Sequence, residues 1–425
     1  MKLDKRPSPR DIVLYPTLPN EMSRVAGIIT GVRQTPLSHV NLRAVQDRVL
    51  NAFIKGATKD ATITALIGKY VRYEVSELGY TLSEATAAEV EKHFAGMRPK
   101  EPQIPKRDLT VKRIRPLEDI AFADSSNVGV KAANLATLRK LGFPDGTVPN
   151  GFAVPFSFYD GFMRPNGLYA RAMAMRTAAG FRDDTELRMK ALAAFRARIV
   201  SCKWPREMQD PIGTLRMAFP STAKLRCRSS TNNEDLPGFS GAGLYDSFTH
   251  ANPKARLVDT IKKVYASLWN FRAFEEREFY RVDHGATAMG VLVYPIYTGE
   301  KANGVAVTDD IIYQSPGRPY YINVQVGEDM VTNPEDQSIA EELLVSPSEP
   351  KDDVLVRTSN RTKDGAHILG DEHLDQLRLH LGRIQRKFRK LYKQPRSAGK
   401  FAMEIEFKIT AAGKLAIKQV RPWAY

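Results

Sequence analysis

The stretch TPLSHVNLRA, residues 35–44, sets His39 behind a polar, proline-containing run and ahead of a predicted helix over 39–47. An imidazole at a helix N-terminus faces unpaired N–H groups and the positive end of the dipole, which favours its neutral form. A neutral imidazole can attack phosphorus and then carry the phosphoryl group. Arg43, four residues on, would lie one turn along the same face, near a phosphoryl oxygen. A lone histidine in such a place is more often structural, so these residues by themselves leave both roles open.

Two further stretches carry residue types suited to phosphate. RSSTNNEDLPGFSGAGL opens at Arg228 and combines an arginine after a strand-like run with hydroxyls, amides and glycines. Glycines let backbone N–H groups approach phosphate oxygens, and arginine contacts them in pairs. A long turn with a structural arginine fits equally well. MEIEFKITAAGKLAIKQVRP, residues 403–422, predicts a hairpin with its turn at 411–413. Glu404 and Glu406 alternate by two and so share one face, as do Gln419 and Arg421 on the second strand. Carboxylates beside an amide and an arginine could hold Mg²⁺ with a polyphosphate, because Mg²⁺ takes few protein oxygens. Cross-strand surface pairing explains the same pattern.

The elements that must position these residues fall into two parts. Strand-like runs at 12–14 and 25–30, the helix over 39–47 with Val40, Leu42, Val45 and Val49 inward, and a second helix from Leu82 to Phe94 with Ser83 as N-cap predict a small α/β unit over residues 1–97. Residues 98–116 hold four prolines and seven Lys/Arg against two acids. That composition predicts an interdomain linker. Residues 117–425 mix helices with strands at 224–227, 288–297, 304–308, 320–326, 403–409 and 415–420, an α/β or α+β pattern. Helices are predicted from Lys131 to Leu141 and over 185–200. In the helix from Glu372 to Tyr392, Leu374, Leu377, Leu381, Ile384, Phe388 and Leu391 recur at spacings of three and four and form one apolar stripe. Its other face carries Arg378, Arg383, Arg386, Lys387, Arg389 and Lys390.

Composition bounds the function. A chain of 425 residues, 43% hydrophobic and 26% charged, has material for more than one core. Two cysteines exclude a disulfide framework and a four-cysteine zinc site and suit a reducing compartment. The N-terminal MKLDKRPSPRDIVLYP lacks an apolar run of the secretory kind, and no stretch nears the roughly 18 apolar residues of a membrane span. A soluble, cytoplasmic protein is therefore expected, without a membrane partner. A net charge of +15 favours an anionic partner. Nucleic acid is a weak candidate, because no nucleic-acid motif accompanies the charge.

Taken together the motifs resemble the phosphohistidine dikinase superfamily: phosphoenolpyruvate synthase, pyruvate phosphate dikinase, glucan water dikinase and rifampicin phosphotransferase. TPLSHVNLRA is similar to its phosphohistidine motif. GVKAANL at 129–135, VPNGFAV at 148–154, the loop from Arg228, SLWNFRA at 267–273, GVAVT at 304–308 and KQVRP at 418–422 follow in the family's order. The resemblance implies a small swivelling phosphohistidine domain followed by an ATP-grasp nucleotide-binding domain. It implies that His39 is phosphorylated, with Arg43 beside it. Lys131, Arg228, Arg272 and Arg421 would contact ATP, with Glu404 nearby and Gly327 and Glu328 on a nucleotide-side loop. Glu406 and Gln419 would hold Mg²⁺. Val130 and Tyr294 depart from the family pattern, where glycine and glutamine are usual. The implied activity passes the β-phosphoryl group of ATP through a phosphohistidine to an unidentified acceptor of pyruvate or glucan type, possibly on another chain, with release of AMP. A non-catalytic nucleotide-binding regulator of the same descent is the alternative.

Overall fold

The computed structural model describes residues 7–423 apart from 8, 19–21, 23, 35–37, 39, 42–43, 46–48, 77, 235, 237–238, 240, 242, 253, 314, 329–337 and 395–399. Near the N-terminus, strands Ile12–Tyr15, Gly27–Thr30 and Leu50–Phe53 pair in parallel in that order. Side chains of a strand alternate between two faces. Val13 and Ile28 accordingly meet Met22, Val25, Val40 and Ala44 on one side, and Ile29 meets Ile54, Ala57, Ile63 and Tyr73 on the other. Residues 40–41 and 44–45 are helical. Val40 is buried as its position predicts, whereas Val45 is exposed and Val49 partly covered. Leu42 lies outside the described residues.

The helix expected from Leu82 begins later. Gly79–Glu84 is a strand paired antiparallel with Val71–Ser76, and Ser83 sits within it rather than capping a helix. The helix is Ala87–Met97, closed by a capping box between Thr86 and Glu89. That box satisfies two otherwise free N–H groups reciprocally, which fixes the start at Thr86.

Residues 103–116 are seated on the larger part rather than free. The Gln103 N–H donates to the Arg281 carbonyl at 2.9 Å, and the Gln103 carbonyl accepts from the Asp283 N–H at 2.9 Å. The Asp108 N–H reaches the Ser126 carbonyl, Arg107 Nη1 the Gly285 carbonyl, and the Val111 carbonyl accepts from Ser157 Oγ. Leu109 and Ile114 pack on the core beneath. The expected linker is thus a strap, and the segment 98–102 ahead of it is irregular and mostly exposed, touching the larger part through Arg98 Nη2 on the Glu278 carbonyl. The small N-terminal part is held by Arg24, which is buried. Its Nη1 lies 2.8 Å from Glu276 Oε2, and its guanidinium covers the rings of Phe279 and Tyr280 at 4.3 and 5.0 Å. Removing one member of a buried ion pair costs about 3–5 kcal/mol. Arg24→Ala is therefore expected to loosen this seating and to speed proteolysis at 98–102. Cleavage at the wild-type rate would mean that other contacts hold the two parts together.

The larger part contains two antiparallel sheets. One has five strands in the order Arg115–Pro116, Phe152–Val154, Met289–Pro295, Leu225–Thr231, Phe248–His250. The other has six in the order Val354–Arg357, Glu341–Val345, Tyr320–Val326, Ala302–Val307, Met403–Ile409, Leu415–Pro422. Alternation again divides the faces. Leu225, Cys227, Met289, Val291 and Val293 of the first sheet join a helical core that includes helices Phe156–Met163, Thr185–Ser201 and Leu257–Ser267. Its opposite face, with Ala153, Leu292 and Tyr294, shares a second core with the six-stranded sheet. Helix Val130–Arg139 lies in that second core, almost wholly buried through Ala132, Ala133, Leu135, Ala136 and Leu138. Helix Asp371–Leu391 adds Leu377, Leu381, Ile384 and Phe388 from its apolar stripe. Among the described residues no helix is long and apolar enough to cross a membrane.

Candidate functional site

Strand parity places Arg228 toward the six-stranded sheet, because Cys227 next to it faces the helical core. Arg228 pairs in register with Leu292, and Arg226 with Tyr294. The Arg228 side chain reaches across to the hairpin. Its Nη2 donates to Gln419 Oε1 and lies 3.8 Å from Glu406 Oε1, while Nη1 donates to the Tyr294 hydroxyl at 3.3 Å and to the Lys418 carbonyl at 3.4 Å. At the functional end of the hairpin Glu404 opposes Arg421, and Glu406 opposes Gln419. Beyond Glu406 the register shifts, since Phe407 pairs with Ile417 and Lys418 is left as an extra residue. Such a bulge re-aims a side chain. Here it brings Lys418 Nζ to 3.1 Å from Glu406 Oε2.

The electrostatics separate the two carboxylates. Burial by itself would raise Glu406, but Lys418, Arg228 and Arg421 more than offset it and hold the carboxyl down at about 2. Glu406 is thus ionised under ordinary conditions. Burial raises Glu404, only partly opposed by Arg421, whose Nη2 donates to both carboxylate oxygens at 2.7 and 2.9 Å.

Lys131 enters from the start of helix Val130–Arg139. Gly129 has φ 87°, and a Cβ there would lie 2.2 Å from the Ser230 carbonyl oxygen, so only glycine permits this approach of helix to strand. The close approach lets Ser230 Oγ accept from the Ala132 N–H at 3.0 Å. Lys131 Nζ lies 2.8 Å from Glu234 Oε1, in the loop that follows the Arg228 strand. A lysine at a helix N-terminus beside glycine-bearing loop backbone is suited to phosphate.

Arg272 borders the same loop. It lies in helix Phe271–Phe279, its Nη2 would be 3.9 Å from a Cβ at Gly243, and its buried Nε has no hydrogen-bond partner. The helix is also tied to the loop by Arg277, whose Nη1 donates to the Tyr245 hydroxyl at 3.4 Å, and Tyr245 in turn bonds Asn233. Arg277 Nε donates to His284 Nδ1 at 3.1 Å, so the imidazole proton sits on Nε2, 2.7 Å from Glu278 Oε1. Burial, aided by the Arg277 charge, lowers His284 to about 4, although its bond to Glu278 works in the other direction. An unfolded imidazole titrates near 6.5, so between 6.5 and about 4 the unfolded chain takes up the proton first. Stability should fall as pH drops through that window, by on the order of 3 kcal/mol in total. Thermal melting should show a loss that His284→Gln reduces; identical pH profiles would remove His284 as the source.

The structure therefore brings Arg228, Glu404, Glu406, Gln419 and Arg421 together, with Lys131 alongside through Glu234. It does not bring Gly327 and Glu328 into that group. They form a turn at the end of strand Tyr320–Val326, bonded to the Lys301 carbonyl and the Gly299 N–H. Val326 pairs with Ala302, three residues and about 10 Å along the strand from Val305, the partner of Glu406. His39 and Arg43 lie outside the described residues. Around position 39, Ser38 is buried and its Oγ donates to Gln34 Oε1 at 3.2 Å, while Gln34 Nε2 donates to Thr30 Oγ1 and Asn51 Oδ1 at 3.0 and 3.1 Å. Sequence reasoning missed Glu234, the partner of Lys131, and Lys418, because one depends on a loop conformation and the other on a bulge. In the sequence Tyr294 is only a departure from the family pattern, yet its hydroxyl accepts from Arg228 Nη1.

The donor set fits a magnesium–polyphosphate complex better than a protein-only metal cage. Among the described residues no group of three or more His, Cys, Asp or Glu could hold a metal ion. Glu406 and Gln419 offer an ionised carboxylate and an amide oxygen side by side, which leaves the remaining positions to phosphate and water.

Residues 125–425 match the family model described as pyruvate phosphate dikinase, AMP/ATP-binding domain. Similar curated proteins include a probable phosphoenolpyruvate synthase from Methanothermobacter thermautotrophicus, 32% identical over 47% of this chain and 29% of that protein. Phosphoenolpyruvate synthases from Pseudomonas aeruginosa and Escherichia coli are 30% and 28% identical over 46% and 43% of this chain and 25% and 24% of theirs. The chain thus spans less than a third of the length of these relatives. Among solved structures, D-alanyl-alanine synthetase A from Vibrio cholerae is similar over 55% of this chain and 54% of its own at 10% identity, with a TM-score of 0.24, too slight a likeness to build on.

Proposed function

The chain belongs to the pyruvate phosphate dikinase AMP/ATP-binding family, and from that premise we propose that it is an ATP-dependent dikinase-type phosphotransferase. Residues 117–425 serve as the ATP-grasp donor domain, residues 1–97 as the phosphohistidine carrier and residues 98–116 as the connection between them. The observation that carries this reading is the meeting of Arg228 from one sheet with Glu406 and Gln419 from the other, beside Lys131 at a helix N-terminus.

ATP is the donor in this scheme. Lys131, Arg228 and Arg421 bind its phosphates, with Lys131 exchanging Glu234 and Arg228 exchanging Gln419 for phosphate oxygens. Glu406 and Gln419 hold Mg²⁺, which when bound supplies charge neutralisation to the polyphosphate. His39 attacks the β-phosphorus with its neutral nitrogen, the bond to the AMP oxygen breaks, and AMP leaves. The γ-phosphate passes to water or phosphate, and the phosphoryl group on His39 goes to an acceptor, of pyruvate or glucan type. Positioned cations act on the charge that develops at the transferring group, which is the main protein contribution in phosphoryl transfer. Product analysis tests the scheme: incubation with ATP and Mg²⁺ should yield AMP. ADP as the sole nucleotide product would indicate an ordinary kinase or ligase reaction instead.

A further inference from the structure

From Gln376 to Met403 the chain contains nine Lys or Arg residues and no Asp or Glu. Five of them border one half-open groove of about 640 Å³, lined largely by their alkyl stems: Arg383, Arg386, Lys387, Arg389 and Lys390, with Gln394. Residues 383, 386, 387, 390 and 394 follow one face of the helix and the turn after it, at spacings of three, one, three and four. Leu141, beyond the buried helix Val130–Arg139, closes the other side.

The charges in this cavity are poorly neutralised. Arg383 Nη1 donates to the Gly142 carbonyl at 3.2 Å. Carbonyl acceptors fix a guanidinium without cancelling its charge. Arg386, Lys387 and Lys390 have no carboxylate within ion-pair distance among the described residues, in contrast to Arg378 on the same helix, which pairs with Asp353 at 2.7 Å. The negative end of the helix dipole offsets only a fraction of one charge. Arg386, Lys387 and Lys390, with Arg383 beside them, repel one another, and an anion placed among them relieves that repulsion.

We propose that this cavity binds a small, multiply charged phosphate anion, a condensed phosphate or a compact phosphate ester carrying several phosphoryl groups. Its size is that of a small-molecule site. Arginine forks suit phosphate oxygens, and the lining offers alkyl stems and Leu141 but no aromatic ring for stacking a base. The cavity is separate from the Arg228 cluster. The helix packs its apolar stripe on the side of the six-stranded sheet that carries Met403, Ile405 and Phe407, while Glu404 and Glu406 alternate to the other side. The helix also touches the chain just ahead of the strand that carries the cluster. Gln385 Nε2 and Arg389 both donate to the Phe401 carbonyl, just ahead of the strand that bears Glu404 and Glu406.

Titration of the full chain with inorganic tripolyphosphate tests the proposal by calorimetry at constant ionic strength. Two sites are expected in the wild type, one at the Arg228 cluster and one at the basic cavity. Arg386→Gln/Lys390→Gln should weaken the second by at least about tenfold, since charge-assisted hydrogen bonds are lost, and leave the first in place. Arg228→Ala should remove the first and leave the second, so a failure of the nucleotide-site reading is visible separately. Arg386, Lys387 and Lys390 are exposed, and their replacement should not disturb folding. An isotherm unchanged by the double substitution would overturn the proposal. So would a cavity that ignores tripolyphosphate but binds duplex RNA in a manner lost with the same two cations, which would make it a nucleic-acid surface.

Discussion

Arg228→Ala is expected to lower ATP-dependent phosphorylation of the chain by about 100–1,000-fold, the range for removal of a positioned cation from a phosphoryl-transfer site. Arg228 spans from the first sheet to the hairpin of the second, and its planar fork meets Gln419, Tyr294 and Glu406 at once. Arg228→Lys keeps the charge but not the fork, so it should recover only part of the loss. The truncation leaves the Gln419 oxygen without its donor, which should cost about 1–3 kcal/mol and be visible in thermal melting without unfolding the domain. Labelling at the wild-type rate in Arg228→Ala would place the phosphate site elsewhere.

The second large effect is expected from Glu406→Gln. The carboxylate is ionised down to about 2 because Lys418, Arg228 and Arg421 outweigh its burial. Its pKa is depressed from 4.5, so its stabilising contribution is present above that value and lost as pH falls toward about 2. At neutral pH the contribution is on the order of 3 kcal/mol. The amide removes it and leaves three cations with one carboxylate fewer. Phosphorylation should fall at least about 100-fold, and the Mg²⁺ concentration needed for what remains should rise. This shift distinguishes Glu406→Gln from Arg228→Ala, in which the ATP requirement rises instead. An unaltered rate and Mg²⁺ dependence would reduce the hairpin to cross-strand pairing.

Much of this cluster was legible in the sequence because the side-chain periods of strands and helices are fixed. Tyr320–Val326 and Met403–Ile409 have the bounds their apolar runs predict, and the spacing of Leu377, Leu381, Ile384 and Phe388 places the long helix to within a residue. Parity alone put Glu404 and Glu406 on one face of their strand, and Gln419 and Arg421 on one face of the next. The family resemblance then supplied Lys131 and Arg228 as members of one site. What escaped has no side-chain period. The bulge at Lys418 turns on one extra residue in a ladder. The seating of residues 103–116 rests largely on backbone groups, such as those of Gln103 with Arg281 and Asp283, which any residue but proline could provide. The strand at 79–84 resembles a helix start because Ser83 and Glu84 imitate a cap, whereas Thr86 and Glu89 form the actual one. Arg24 gave no signal at all, since its partner Glu276 lies 252 residues away.

The central claim is that this chain takes the β-phosphoryl group of ATP onto His39. Incubating it with Mg²⁺ and ATP labelled at the β-phosphorus tests that claim most directly. The account predicts an acid-labile label that survives base, maps to the peptide containing His39 and is absent from His39→Ala. Label retained in His39→Ala, or mapped to His93, His250, His284, His367, His373 or His380, would contradict it.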